Sequence, residues 1–298
     1  MAPADRMVYL DSVALAKLKN LSLELRSLAV EGSMSGRHQS LWKGFSHDFA
    51  EHRPYAPGDE LKTLDWKVYA RKDRFYVRQY KAENILTTYL LLDCSGSMGY
   101  CADGRSPKWD HACRLAMALA YLILAKGDAV GLIPFNVEPL DGLPPRASFS
   151  QLEAIDSALA KRRPEGETDL GKVLERAGAR VRRRSLVILI SDLLSKPRHV
   201  IQVVKALRAR RHELLVLQVL DPQEKDFRFE GYSLFDGLEG GPALYCDPTA
   251  LRRAYVQQFE KGLRLYEASF HRSNIGYALF MTDRPWDSVL AQFLTRWR

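Results

Sequence analysis

The chain has 298 residues, 46% hydrophobic and 27% charged, which is enough to bury one large core or two modest ones and excludes disorder and low complexity. Its 44 basic and 36 acidic residues leave a net charge of +8, which permits an acidic protein, a membrane surface or a nucleic acid as partner and selects none. The longest stretch without a charge, Leu115 to Ala125, has 11 residues, short of the ~18 that span a bilayer.

The first residues carry Asp5, Asp11 and Glu24 and lack the pattern of a secretory signal, so the expected location is the cytoplasm. Cys94, Cys101, Cys113 and Cys246 are too few for a disulfide scaffold and form none of the close pairs of a structural zinc site, which fits a reducing compartment.

In chain order, Leu10, Ala14, Leu18, Leu21, Leu25 and Leu28 recur at three- and four-residue spacing and predict an amphipathic helix packed on the protein's own core. From Gly36 to about Glu83 the chain is polar, aromatic and basic, broken by turns at Arg53-Pro54 and Pro57-Gly58. An apolar strand follows, Ile85 to Leu92, ending at Asp93. Next comes a helix from Pro107 to Gly127, with Ser106 as its expected cap.

Strands at Ala129–Phe135, Ser185–Ser191, Leu214–Leu220 and Ile275–Met281 alternate with helices at Phe149–Ala160, Asp169–Val181, Arg198–Arg210, Thr249–Phe270 and Trp286–Trp297. Continuous apolar strands separated by helices predict an α/β fold: a doubly wound, mostly parallel sheet covered on both faces. The turn signals Asp236-Gly237 and Gly240-Gly241 predict a hairpin insertion at about 226–247, attached to that sheet. The expected organisation is an N-terminal elaboration, 1–84, packed on a main domain, 85–298.

Ligands of open α/β sheets collect beyond the carboxyl ends of the strands. Asp93, Ser95 and Ser97 follow the first apolar strand, Asp192 follows the Ser185 strand, and Thr168 stands in the loop opening the Asp169 helix. Taken singly, Thr168 reads as a helix cap, the serines as turn residues and the aspartates as loop caps. Together they offer two carboxylates and three hydroxyls. Such an all-oxygen set suits Mg²⁺ or Mn²⁺, admits Ca²⁺ and suits zinc or copper poorly. Two carboxylates just balance a divalent cation, so the ion can attract one more anion, such as the Asp or Glu of a protein partner.

This arrangement resembles the metal-ion-dependent adhesion site of von Willebrand factor A domains: Asp-x-Ser-x-Ser, then a Thr, then an Asp after a later strand. The resemblance implies that Ser95, Ser97 and Thr168 touch the metal through hydroxyls, and that Asp93 and Asp192 hold it directly or through water. Upstream, Arg53-Pro54-Tyr55-Ala56-Pro57-Gly58-Asp59, Asp65-Trp66 and Ala70-Arg71 resemble the signature of the domain-of-unknown-function family fifty-eight, as do Gly127–Leu132 and Ile190–Asp192. The chain departs from that family at Gly44-Phe45-Ser46-His47-Asp48-Phe49, where many members have a second glycine, and it has no transmembrane helix, as in the soluble branch.

The resemblance implies a non-enzymatic, metal-dependent protein-interaction module, working with a MoxR-type AAA+ ATPase in the assembly or maturation of protein complexes. Within the signature, Arg53, Asp59, Asp65, Trp66 and Arg71 could build a recognition surface beside the metal site or a buried ion-pair network that docks the segment on the sheet; the structural role is the favoured one, with Trp66 as a core anchor.

Two other functional classes find partial support in the sequence. Ser95-Gly96-Ser97-Met98-Gly99 partly mimics a nucleophile elbow, and Asp192 with His212 or His271 supplies the chain order of an α/β-hydrolase using Ser97. That enzyme lacks the first elbow glycine and gives Asp93 and Thr168 no role. Arg162, Arg163, Arg180, Arg182, Arg183, Arg184, Arg208, Arg210 and Arg211 could face a nucleic acid, but they cluster at helix C-terminal ends, where cations oppose the dipole and stay solvated. No nucleic acid is therefore expected.

Overall fold

The computed structural model describes residues 7–10, 12–18, 49–55, 64–80, 85–102, 104–182 and 184–296. They fall into two compact units, one comprising Met1–Ser35 with Leu86–Arg298 and the other Gly36–Ile85.

In the larger unit, α1 (Ser12–Leu18) precedes the central strand β3 (Thr87–Asp93). Leu90 and Leu92 point into one core and Tyr89 and Leu91 into the other, all nearly or fully buried. The period of two thus buries both faces of the strand, and each leucine contributes about 2 kcal/mol of hydrophobic burial. The same alternation recurs in β4 (Ala129–Phe135), β6 (Leu186–Ser191) and β7 (Glu213–Leu220).

With β5 (Leu143–Arg146) and β10 (Gly276–Met281), these strands make one six-stranded sheet of order β10-β7-β6-β3-β4-β5. Every pairing is parallel except β4 with β5. Read by first appearance, the order is 3-2-1-4-5-6, so the sheet is doubly wound and mostly parallel, as expected.

The helices segregate by face. On one side lie α1, α3 (Lys108–Leu124), α4 (Ser150–Ala160) and α9 (Trp286–Arg296); on the other lie α5 (Leu170–Arg180), α6 (Pro197–Ala209) and α8 (Pro248–Arg272). The alanine-rich helix α3 buries most of its circumference. Its N-cap is Pro107, without a side-chain hydrogen bond, so Ser106 does not serve as the cap.

The stretch just before and within α1 belongs to this unit. Leu10 and Leu15 enter the core, the Val8 and Tyr9 amides donate to Asp156 (both 3.0 Å), and Lys17 pairs with Asp287 of α9 at 2.9 Å. Leu21, Leu25 and Leu28 of the expected longer helix lie outside the described residues.

Strand β5 is absent from the sequence reading, and its Pro144-Pro145 pair is no strand signal. An edge tolerates proline, whose missing N–H can face away from the neighbour. Gly131 and Gly142 allow the close approach, since a Cβ on Gly142 would lie 2.1 Å from the Leu132 carbonyl oxygen. Gln151 then bridges the carbonyls of Val130 (3.1 Å) and Pro144 (2.9 Å).

The hairpin β8 (Ser233–Phe235) and β9 (Leu244–Cys246) forms a separate two-stranded sheet rather than extending the main one. It follows the short helix α7 (Pro222–Asp226). Its stem is held by stacked rings, Phe227 on Phe235 (5.5 Å) and on Tyr255 of α8 (4.3 Å), and by Arg252, which donates to the carbonyls of Phe227 and Phe229.

In the smaller unit, β1 (Phe49–Pro54) pairs antiparallel with β2 (Tyr76–Tyr80), and α2 (Trp66–Lys72) lies between them in sequence. Asp65 caps α2 by accepting from the Lys67 and Val68 amides, and its other oxygen lies 2.9 Å from His52 Nε2. Trp66 is 61% exposed and meets Tyr69 edge-on, so it is not the core anchor expected; Leu64 and Val77 are buried instead. Asp59 lies outside the described residues.

Candidate functional site

The chain leaves β3 for a helix on one face and leaves β6 for a helix on the other, so the switch point of the sheet, where such folds collect ligands, lies between these adjacent strands at their carboxyl ends. Asp93 ends β3 and Asp192 follows β6, and both are buried.

Asp93 is clasped from two sides. Its Oδ1 accepts from the Ser95 amide (3.0 Å) and its Oδ2 from the Ser191 hydroxyl (2.6 Å). Ser95 Oγ lies 3.1 Å from Ser97 Oγ, at the start of a 3-10 turn, Gly96–Gly99. Burial, and next the charge of Asp192, push the Asp93 carboxyl up to about 7, against the Ser191 and Ser95 hydrogen bonds.

The turn after β6 is braced from behind. Gln218 donates to the Asp192 carbonyl (2.7 Å), Tyr277 donates to Gln218 (2.7 Å) and Tyr266 donates to the Leu193 carbonyl (3.1 Å). The Asp192 carboxylate accepts from the Leu194 amide through Oδ1 (3.2 Å) and from the Lys108 ammonium through Oδ2 (2.8 Å).

Lys108 is fully buried and also reaches Glu224 at 2.6 Å. Burial pulls its pKa down, but the Asp192 and Glu224 charges more than offset this and leave it raised. Glu224 in turn accepts from the Asp221 amide in the capping box that opens α7.

Thr168 is half-buried, the most exposed of the five residues. Its loop is tied to the Asp93 loop by Gly96 N–H to Gly166 O and Glu165 N–H to Cys94 O, both 2.9 Å. Asp169, not Thr168, caps α5 through the Lys172 amide. The Thr168 hydroxyl donates to the Asn136 carbonyl (3.1 Å), which leaves its lone pairs free, and the Thr168 amide donates to Glu239 Oε2 (3.2 Å).

These contacts draw Asp93, Ser95 and Ser97 into one group, set Asp192 beside it through the adjoining Ser191, and bring the Thr168 loop alongside. Sequence reasoning missed Lys108, Ser191, Glu224 and Glu239. Ser191 adjoins Asp192 and was within reach; a lysine opening an apolar helix gives no hint of where its ammonium lies.

A divalent cation fits the chemistry of this set. Asp93, Asp192 and Glu224 oppose the single ammonium of Lys108, leaving two negative charges uncompensated when all are ionised. The donors are oxygen, and burial, then the Asp93 charge, push the neighbouring Cys94 thiol up to about 12, far from a thiolate ligand. Among the described residues no group of three or more His, Cys, Asp or Glu is placed to hold a metal, so hydroxyls would have to complete the shell.

The hydrolase arrangement is not assembled. His212 precedes β7, whose first residue pairs with Leu186 at the far end of β6 from Asp192, about 20 Å away at the rise of a strand. His271 lies in the last turn of α8 at that same far edge, and the described hydrogen-bond partner of the Ser97 hydroxyl is Ser95. No described helix is long and apolar enough to cross a membrane.

Uncharacterized proteins of Mycobacterium tuberculosis (Rv1480) and Mycobacterium bovis (Mb1516) are each 28% identical over 296 residues, an alignment spanning 94% of this chain and 88% of theirs. Similar solved structures include the conserved hypothetical protein BatB from Bacteroides thetaiotaomicron, at TM-score 0.47 and 18% identity over 71% of this chain and 98% of that one. Another is the SpRpn10 VWA domain, at TM-score 0.41 and 10% identity over 71% of this chain and 95% of that one. The model of the protein family of unknown function DUF58 matches residues 51–262, most of the α/β unit together with the upstream signature, and the chain belongs to that family.

Proposed function

We propose that this protein is a cytoplasmic, non-enzymatic interaction module that recognises an acidic side chain of a protein partner through a divalent cation. Asp93, Ser95, Ser97, Thr168 and Asp192 would hold the ion, Mg²⁺ by preference with Mn²⁺ or Ca²⁺ as substitutes. The cation would supply the positive charge that an incoming Asp or Glu needs. The chain's own residues prepare that place: Ser191 orients Asp93, Gln218 and Tyr266 fix the Asp192 turn, and Lys108 keeps Asp192 from standing as a lone buried charge.

The observation that carries this reading is that two buried carboxylates stand at the switch point of the sheet, close enough for the charge of Asp192 to act on Asp93, with the Ser95 and Ser97 hydroxyls beside them. A MoxR-type AAA+ ATPase, or its client, as the partner rests on the family resemblance. Capture of partners from lysate in Mg²⁺, in EDTA and with Asp93→Ala tests the proposal: Mg²⁺-dependent capture lost in the variant is expected, and equal capture in all three overturns it.

A further inference from the structure

The loop joining β8 and β9 reaches the candidate cation site. From Asp236 to Ala243 every residue is exposed except Glu239, which is half-buried. Its Oε2 accepts the Thr168 amide at 3.2 Å, on the most exposed of the proposed ligands. The residue before it packs as tightly: a Cβ on Gly96, between Ser95 and Ser97, would lie 2.1 Å from the Leu238 carbonyl oxygen.

The loop has the means to lift. Gly240 and Gly241 have φ of +91° and +101°, conformations that glycine reaches freely, while the stem is anchored to α8 by stacked rings and Arg252.

We infer that this hairpin tip is a built-in competitor, with the Glu239 carboxylate holding, beside Thr168, the place that a partner's carboxylate would take. The inference rests on the cation-site reading above and adds its regulation. An acidic partner must displace Glu239, and its apparent affinity is reduced by the fraction of molecules in which the tip is down.

Mn²⁺ titration followed by water-proton relaxation, then titration of the Mn²⁺-loaded protein with glutarate, tests this in the full chain, Asp93→Ala and Glu239→Ala. We expect Asp93→Ala to lose Mn²⁺, and Glu239→Ala to keep it while binding glutarate at least ~10-fold more tightly than the unaltered chain. Equal glutarate affinity with Mn²⁺ bound overturns the competitor and leaves the cation reading standing. Mn²⁺ binding that is absent from the unaltered chain, or unaffected by Asp93→Ala, overturns both. Hydrogen exchange without metal gives a separate check: the Thr168 amide should exchange ~10-fold faster or more in Glu239→Ala, and an unchanged rate overturns the capping contact.

Discussion

The ammonium of Lys108 lies 2.8 Å from the carboxylate of Asp192, and both side chains are withdrawn from water. Removing one member of a buried pair strands the other charge and costs about 3–5 kcal/mol. Lys108→Met should destabilise the metal-free protein by roughly that amount in urea unfolding. Because the change also leaves the site more negative, Mg²⁺ should recover more stability in the variant than in the unaltered chain. A variant as stable as the original in EDTA would mean that Lys108 does not neutralise this site.

Asp93 supplies a pH test. Burial, then the charge of Asp192, lift its carboxyl from the usual 3.8 to about 7. Between these values the folded chain holds a proton that the unfolded chain releases, so metal-free stability should fall as pH rises from 4 through 7. Asp93→Asn should flatten that slope in melting curves taken between pH 5 and 8 with EDTA. Cation binding needs the ionised carboxylate, so Mg²⁺ should stabilise the unaltered protein more at pH 8 than at pH 6.

Gly96→Ala introduces a methyl group where the Leu238 carbonyl already stands. The hairpin tip must move, at a cost of about 1–3 kcal/mol for the overpacked contact. Faster amide exchange at Leu238 and Gly240 is expected, with exchange in β3 and β6 unchanged.

The Lys17 hydrogen bond holds the Asp287 carboxyl below the ordinary aspartate range. The contact should therefore stabilise the fold at neutral pH and fade as pH falls through that lowered value. Lys17 is largely exposed, so Lys17→Met should cost no more than about 1 kcal/mol at pH 7. The difference between variant and unaltered chain should shrink as the solution is acidified through that lowered value.

The sheet, its edge strand β5 apart, was legible because its strands read as apolar runs, each closed by a polar residue or turn. Legible in the same way were the two aspartates, since strand ends are where such sheets collect ligands. The partners of those aspartates were not. Lys108 precedes Asp192 by 84 residues and reaches it only because α3 packs against the sheet with its first residue at the carboxyl edge. Glu239 was hidden in a turn whose glycines announce a hairpin and nothing about where its tip rests. Trp66 misled because a large ring among polar neighbours suggests packing, whereas α2 begins with that ring facing outward.

The two prolines of β5 have a consequence for the molecule as a particle in solution. Pro144 and Pro145 occupy the middle of a four-residue border strand, so its outer rim is short and lacks the amide donors that a strand from another chain would have to find. On that side the sheet is a poor template for edge-to-edge growth, and crowded copies of the protein gain little by pairing through it.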